Sequence, residues 1–254
     1  MTTKFYVLFE GDRACWTNPI SRSERISYRF PTASGLRGAI ESIYWHPGIN
    51  WVIDRVWVLN PIEFDFVKKL ELKNKISYSK IEKEILNNMV GSIRINPKPG
   101  NSSSTLRTTM YLTNVKYLVE FHYEKQYDSR IGLDDKSLYR KSIKVMAHFL
   151  DKGKCYRTPY LGLREFSCKF TRIKEDELES IKSYYLGQSQ ESEMLFDGFG
   201  YDRLNQFIVT KKFLCKVKMI DGIIDYEKLR KDYLVKASWI NNIKEISNVS
   251  SNDE

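Results

Sequence analysis

The sequence predicts an α+β fold, and three observations carry that prediction. Strand-like and helix-like segments alternate along the first 170 residues in the order strand, helix, strand, strand, helix, strand. The apolar share is 42% and the charged share 29%, which is ordinary globular composition. A chain of 254 residues is long enough for one large domain or two small ones, each with a real core.

Each element follows from local chemistry. Residues 4–9 (KFYVLF) are rich in aromatic and β-branched side chains and predict a strand. Gly11, Asn18 and Pro19 break the loop that follows, and 26–30 (ISYRF) alternates as a short extended piece. Pro31-Thr32 opens a helix, with Thr32 or Ser34 as N-cap. Leu36, Ala39, Ile40 and Ile43 recur at helical spacing, and His46-Pro47-Gly48 ends the run. Residues 51–59 (WVIDRVWVL) predict a second strand, closed by Pro61.

The stretch 62–105 is expected to be an insertion. Its part 66–89 is charged and helix-compatible, and 96–104 (NPKPGNSSS) has loop composition. Residues 106–123 predict strand, with a bend near Thr113-Asn114. A helix over 136–152 carries Ile143, Met146, Ala147 and Leu150 on one face and stops at Gly153. Residues 159–170 predict a turn and strand, and 173–184 a charged helix. Residues 194–254 mix short strands with a helix around 226–236 and a polar tail from Ser247 to Glu254. The β-α-β-β-α-β order is the ferredoxin-like, split β-α-β pattern, on which RNA-recognition domains are built.

Charge and motifs narrow the function. Lys plus Arg is 41 and Asp plus Glu is 32, so the net charge is 41 − 32 = +9. That balance points toward a polyanion such as nucleic acid, with a merely basic surface as the alternative. Cys15, Cys155, Cys168 and Cys215 stand far apart without a C-x-x-C pair, which fits reduced thiols in a cytoplasm. His46, His122 and His148 form no zinc-spaced cluster, so no metal and no cofactor are expected. No phosphate-binding loop, G-x-S-x-G elbow or H-E-x-x-H helix is present, which excludes the common nucleotide hydrolase, serine hydrolase and zinc peptidase signatures. Glu10, Asp12 and Arg13 interrupt the apolar start, so no secretory signal and no membrane association are expected.

The run ERISYRFPTASGLRGAIESIYWHP, residues 24–47, resembles the CRISPR-associated "Cas-five" proteins of the d subtype. FYVLFEGDRACWTNPI, WVIDRVWVLNPIEF, TLRTTMYLTNVKYLVEF and KCYRTPYLGLREFSCKF are similar to further segments of that family, in the same order. Asn114 stands where the family usually has Asp. The resemblance implies a ferredoxin-like RAMP domain over 1–172, with the insertion at 62–105, and a small β-rich C-terminal domain over 173–254. It implies metal-independent cleavage of the CRISPR repeat transcript. It also implies retention of the crRNA 5′ handle within a type I interference complex, whose other subunits are the expected protein partners. A non-catalytic handle-binding subunit is the alternative. The family's catalytic Tyr corresponds to Tyr44, within IYW. Its Lys corresponds to Lys141, twelve residues before Gly153, and its His position holds Ser142.

Metal-free RNA cleavage needs a base for the 2′-hydroxyl, a cation for the phosphorane and an acid for the leaving 5′-oxygen. Lys supplies charge and Tyr orients the hydroxyl, but Ser is a poor acid at neutral pH. His46, two residues past Tyr44, is the one histidine that a missing acid could draw on. Arg37, Glu41 and Tyr44 share a helix face, offering either a phosphate-binding Arg or a surface ion pair. Lys141, Lys144, His148 and Lys152 lie away from the Ile143/Leu150 face, as a basic stripe would. Arg25, Tyr28 and Arg29 interleave charge and aromaticity before the first helix, and Arg107 opens a strand; all are RNA-binding candidates. Arg164 and Glu165 are read as a possible ion pair. Gly35 and Gly38 weaken the helix by about 1 kcal/mol each and so predict close approach, of RNA or of the sheet.

Overall fold

The computed structural model describes residues 3–21, 23–72, 78–87, 104–125, 135–201 and 208–232. Strand β1 (Lys4–Ala14) buries Phe5, Val7 and Phe9 on one face, as its period-two pattern requires. The two-residue strand β2 (Arg25–Ile26) is all that remains of the extended piece expected at 26–30. Helix α1 (Ala33–Ile43) starts at the N-cap Thr32, whose hydroxyl accepts from the Gly35 N–H at 3.2 Å. Strand β3 (Ile49–Val58) follows after Gly48, which takes a left-handed φ of 87°.

The expected insertion is partly sheet. Strand β4 (Glu63–Leu72) precedes helix α2 (Tyr78–Leu86), so 66–72 is strand rather than helix. Its charge density matched a helix, but Phe64, Phe66, Leu70 and Leu72 keep a two-residue period and pair along the next strand. That strand, β5 (Ser104–Lys125), runs 22 residues. The bend expected at Thr113-Asn114 coincides with Asn114, at a φ of 45°. Helix α3 (Asp135–Lys152) stops at Gly153, which has a φ of 59°.

Strand β6 (Lys169–Ile173) follows the turn at 159–167, and a short 3-10 turn, Glu175–Ser180, replaces the charged helix expected over 173–184. The short strands expected beyond 194 are instead a long hairpin, β7 (Ser189–Tyr201) with β8 (Ile208–Ile220), followed by β9 (Ile223–Asp225) and helical residues 226–232. Most of the loop 96–104 and the tail from Ser247 lie outside the described residues.

The strands form one mixed but mainly antiparallel sheet in the order β6-β1-β5-β3-β9-β8-β7, with β2 and β4 also paired to β5. Helices α1 and α3 bury Leu36, Ile40, Ile43, Met146 and Leu150 in a common core with Phe5, Trp51 and Phe121 of the sheet. Three cysteines are buried and Cys155 is exposed, and none of the four is in a disulfide. No described helix is long and apolar enough to cross a membrane.

Candidate functional site

The site candidates meet where α1 ends against α3. Tyr44 leaves the helix with extended dihedrals, φ −151° and ψ 127°, yet its N–H still donates to the Ile40 carbonyl at 3.2 Å. The Trp51 indole donates to the Tyr44 carbonyl at 2.8 Å. Its ring sits edge-on to Phe149 of α3, with centroids 5.7 Å apart. Backbone and ring are therefore fixed before any ligand arrives.

Ser142 is fully buried (0% exposed) and donates to the Leu138 carbonyl one turn back, at 2.7 Å. Burial pushes the Tyr44 phenol above its ordinary value of 10, while interaction with the Ser142 hydroxyl pulls the other way and loses. The phenol is therefore protonated at neutral pH. Lys141 is exposed on the flank of α3, as are Lys144 and His148. Among the described residues, Lys141 and Lys144 form no ion pair. His46 has its Nδ1 at 2.7 Å from the Pro47 carbonyl; that oxygen only accepts, so Nδ1 carries the proton and Nε2 is the acceptor of the neutral ring.

The other candidates divide. Arg37 faces Glu41 at 3.6 Å, the surface-pair alternative; burial raises the Glu41 carboxyl, against the pull of Arg37. Arg25 and Arg107 share the carboxylate of Glu71, Arg107 at 3.7 Å, and so lie together toward the far end of the β4–β5 ribbon, where Glu71 pairs with Thr105. Arg29 is exposed and donates to the Gln190 side chain at 3.0 Å. Tyr28 requires a correction. It is 6% exposed, and its hydroxyl accepts from the Leu195 N–H at 3.2 Å, so its ring is core and presents no face to a base. Glu165 pairs with Lys69 rather than with its neighbour Arg164. Gly35 is explained by the sheet side: an added Cβ meets the Trp16 ring at 2.7 Å, whereas Gly38 has nothing within 4 Å. Among the described residues, no group of His, Cys, Asp or Glu is arranged to hold a metal ion.

A family model described as CRISPR-associated protein (Cas_Cas5) matches residues 6–225. The chain belongs to the Cas5d family. A Cas5d relative from Mannheimia succiniciproducens, named CRISPR pre-crRNA endoribonuclease, is 35% identical over 167 residues, 66% of this chain and 71% of that one. A Thermus thermophilus relative of the same name is 31% identical over 163 residues, 63% of this chain and 60% of that one. A crystal structure of a CRISPR-associated protein superposes with a TM-score of 0.61 at 26% identity, covering 88% of this chain and 91% of the other.

Sequence reasoning missed two features of this Cas5d chain. One is the loop after Gly153, whose backbone joins α3 to the end of α1. Its signal was present in Lys154, Tyr156 and Arg157, basic and aromatic residues directly after a helix stop. The other is an ionic cluster of Asp54, His122, Glu124 and Arg230, whose members are scattered over 176 positions of sequence and leave no local signal.

Proposed function

We infer that this chain is an endoribonuclease that cuts the CRISPR repeat transcript without a metal and then holds the 5′ handle of the product as a subunit of an interference complex. One observation carries the reading: Tyr44, at the end of α1, packs its ring on Phe149 of α3, the helix that also presents the exposed Lys141. The names of the two relatives support the same activity. The strand order β6-β1-β5-β3, with α1 leading into β3 and α3 leading toward β6, supports a ferredoxin-like RAMP domain over 1–172. The β7–β8 hairpin supports a β-rich C-terminal unit over 173–254. The protein works in the cytoplasm, where its RNA substrate is made.

The chemistry divides among these residues. The 2′-oxygen attacks the adjacent phosphorus and gives its proton to solvent water, the 5′-oxygen leaves and takes a proton from water, and a 2′,3′-cyclic phosphate remains. Lys141 balances charge on the non-bridging oxygens. The half-buried, protonated Tyr44 phenol orients the 2′-hydroxyl by hydrogen bonding rather than deprotonating it. Ser142, whose hydroxyl donates to the Leu138 carbonyl, supplies no acid. A missing general acid costs about 10²–10⁴ in rate, so the enzyme is slow, which a processing subunit that keeps its product tolerates. The second reading, a subunit that binds the handle without cutting, is favoured by the burial of Ser142 and its bond to Leu138.

The test is cleavage of the cognate repeat RNA by the full chain in excess EDTA, with Lys141→Ala alongside. Cutting at one position, lost in Lys141→Ala, is the expected result. Tight binding with no cutting by the wild type selects the second reading.

A further inference from the structure

The loop that follows α3 closes over the end of α1. The Gly153 and Lys154 N–H groups finish α3 by donating to Leu150 at 3.4 Å and Phe149 at 2.9 Å. The next donors leave α3 altogether. The Tyr156 N–H donates to the Ile43 carbonyl at 3.0 Å, and the Arg157 N–H to the Ser42 carbonyl at 2.9 Å. These are last-turn carbonyls of α1, which carry the negative end of its dipole, and α1 has no basic residue in that turn. Left open, they would repel a phosphate brought to Tyr44. The loop caps two of them and places Tyr156 and Arg157 at the residues directly before Tyr44.

The same loop is dressed for a polyanion. Residues 151–158 are all exposed, Tyr156 at 82%, and Trp45 beyond Tyr44 at 49%. Lys152, Lys154 and Arg157 form no ion pair among the described residues, while the nearby Asp151 is already held by Arg172 at 2.7 Å. Unpaired cations beside an exposed ring match the phosphate and base face of a single-stranded nucleotide.

We propose that residues 154–157 are an RNA-positioning element, in which Arg157 and Lys154 hold a phosphate next to the cleaved bond and Tyr156 stacks on the neighbouring base. The backbone bonds to Ser42 and Ile43 key that nucleotide to Tyr44. This rests on the reading of the chain as an RNA-cleaving protein and adds the residues that set the strand in place.

The test titrates the full chain with labelled cognate repeat RNA across a salt series and follows single-turnover cleavage in the same samples. The variants are Tyr156→Ala, Tyr156→Phe, Arg157→Ala and Arg157→Gln. The loop is tied to α1 by backbone, so side-chain truncation leaves the tie intact, and thermal unfolding verifies it. Tyr156→Ala is expected to weaken binding about 5- to 150-fold, the range for one lost base stack, and Tyr156→Phe to restore it. Arg157→Ala and Arg157→Gln are expected to flatten the slope of log K against log salt by about 0.7, one single-strand phosphate contact, and Tyr156→Ala to leave that slope unchanged. Affinity, rate and slope equal to wild type in folded Tyr156→Ala and Arg157→Ala overturn the proposal. If the wild type binds but does not cut, the nuclease reading fails while the affinities and slopes still decide the loop. If the wild type cuts and the loop variants bind and cut like it, the loop alone fails.

Discussion

Tyr44 is held on three sides, by Ile40, Trp51 and Phe149, so its hydroxyl can be removed without disturbing its ring. Tyr44→Phe is expected to change stability by less than about 1 kcal/mol while slowing single-turnover cleavage at least about tenfold; unchanged cleavage would remove Tyr44 from the chemistry. Ser142 gives a sharper test. A histidine there must enter a fully buried seam, so Ser142→His is expected to cost about 1–3 kcal/mol by thermal unfolding and yet raise the cleavage rate at least about tenfold. Lost stability with no gain in rate would make position 142 a packing site only. At this scale, family-like motifs single out Tyr44 and position 142 as site candidates in the sequence, and the variants above decide their role. Tyr28 was misread because its partner, the Leu195 N–H, lies 167 positions away, and interleaved basic and aromatic residues look alike whether a ring faces solvent or core.

Among the elements, α1 was legible almost to the residue, because a capping threonine, a helical apolar period and a Pro-Gly stop are all local. Strand β4 was not, because what makes it a strand is the first half of β5, some 40 positions along the chain. The helix glycines give predictions of opposite sign. Gly38→Ala has open space and is expected to stabilise the protein by up to about 1 kcal/mol, whereas Gly35→Ala drives a methyl into the buried Trp16 ring and is expected to destabilise it. Urea unfolding of the two variants reads both signs, and a shared sign would refute the packing argument. Gly162 is the strongest case. Its φ is 85°, and an added Cβ falls 1.9 Å from the Cys15 carbonyl oxygen, in the turn whose Leu161 carbonyl accepts the Cys15 N–H. Gly162→Ala is expected to cost about 2–5 kcal/mol, from left-handed strain plus overpacking, with a correspondingly lower denaturant midpoint.

For the whole molecule, the ionic cluster sets how stability follows pH. His122 of β5 touches Asp54 of β3 at 2.6 Å and Glu124 at 3.3 Å, while Arg230 of the last described helical segment holds Asp54 at 2.7 Å. Lys4 and Val52 lie opposite His122 in the sheet, and Lys4 and Arg55 flank the buried Glu120. Burial works against a charged His122, but Asp54 and Glu124 outweigh it and raise the ring to about 9. Its stabilisation is complete below about 6.5, the ordinary value, and disappears as pH rises through about 9. Thermal unfolding is therefore expected to show stability falling by up to about 1.4 kcal/mol per pH unit within that window, with the fall flattened in His122→Gln. An equal slope in wild type and variant would count against it. The cluster was invisible in the sequence because it exists only once β3, β5 and the C-terminal segment have met. Strand β5 matters for the same reason, since β1, β2, β3 and β4 all pair with it. On the ribosome, the four strands made first have their sheet-edge hydrogen-bonding groups ready and no partner to take them. At about 5–20 residues per second, the wait from the first strand to the end of β5 lasts on the order of 6–24 seconds. Throughout that interval the nascent chain presents open strand edges to other chains, so soluble yield should depend on chaperone supply and translation speed well before the finished fold is stable or unstable.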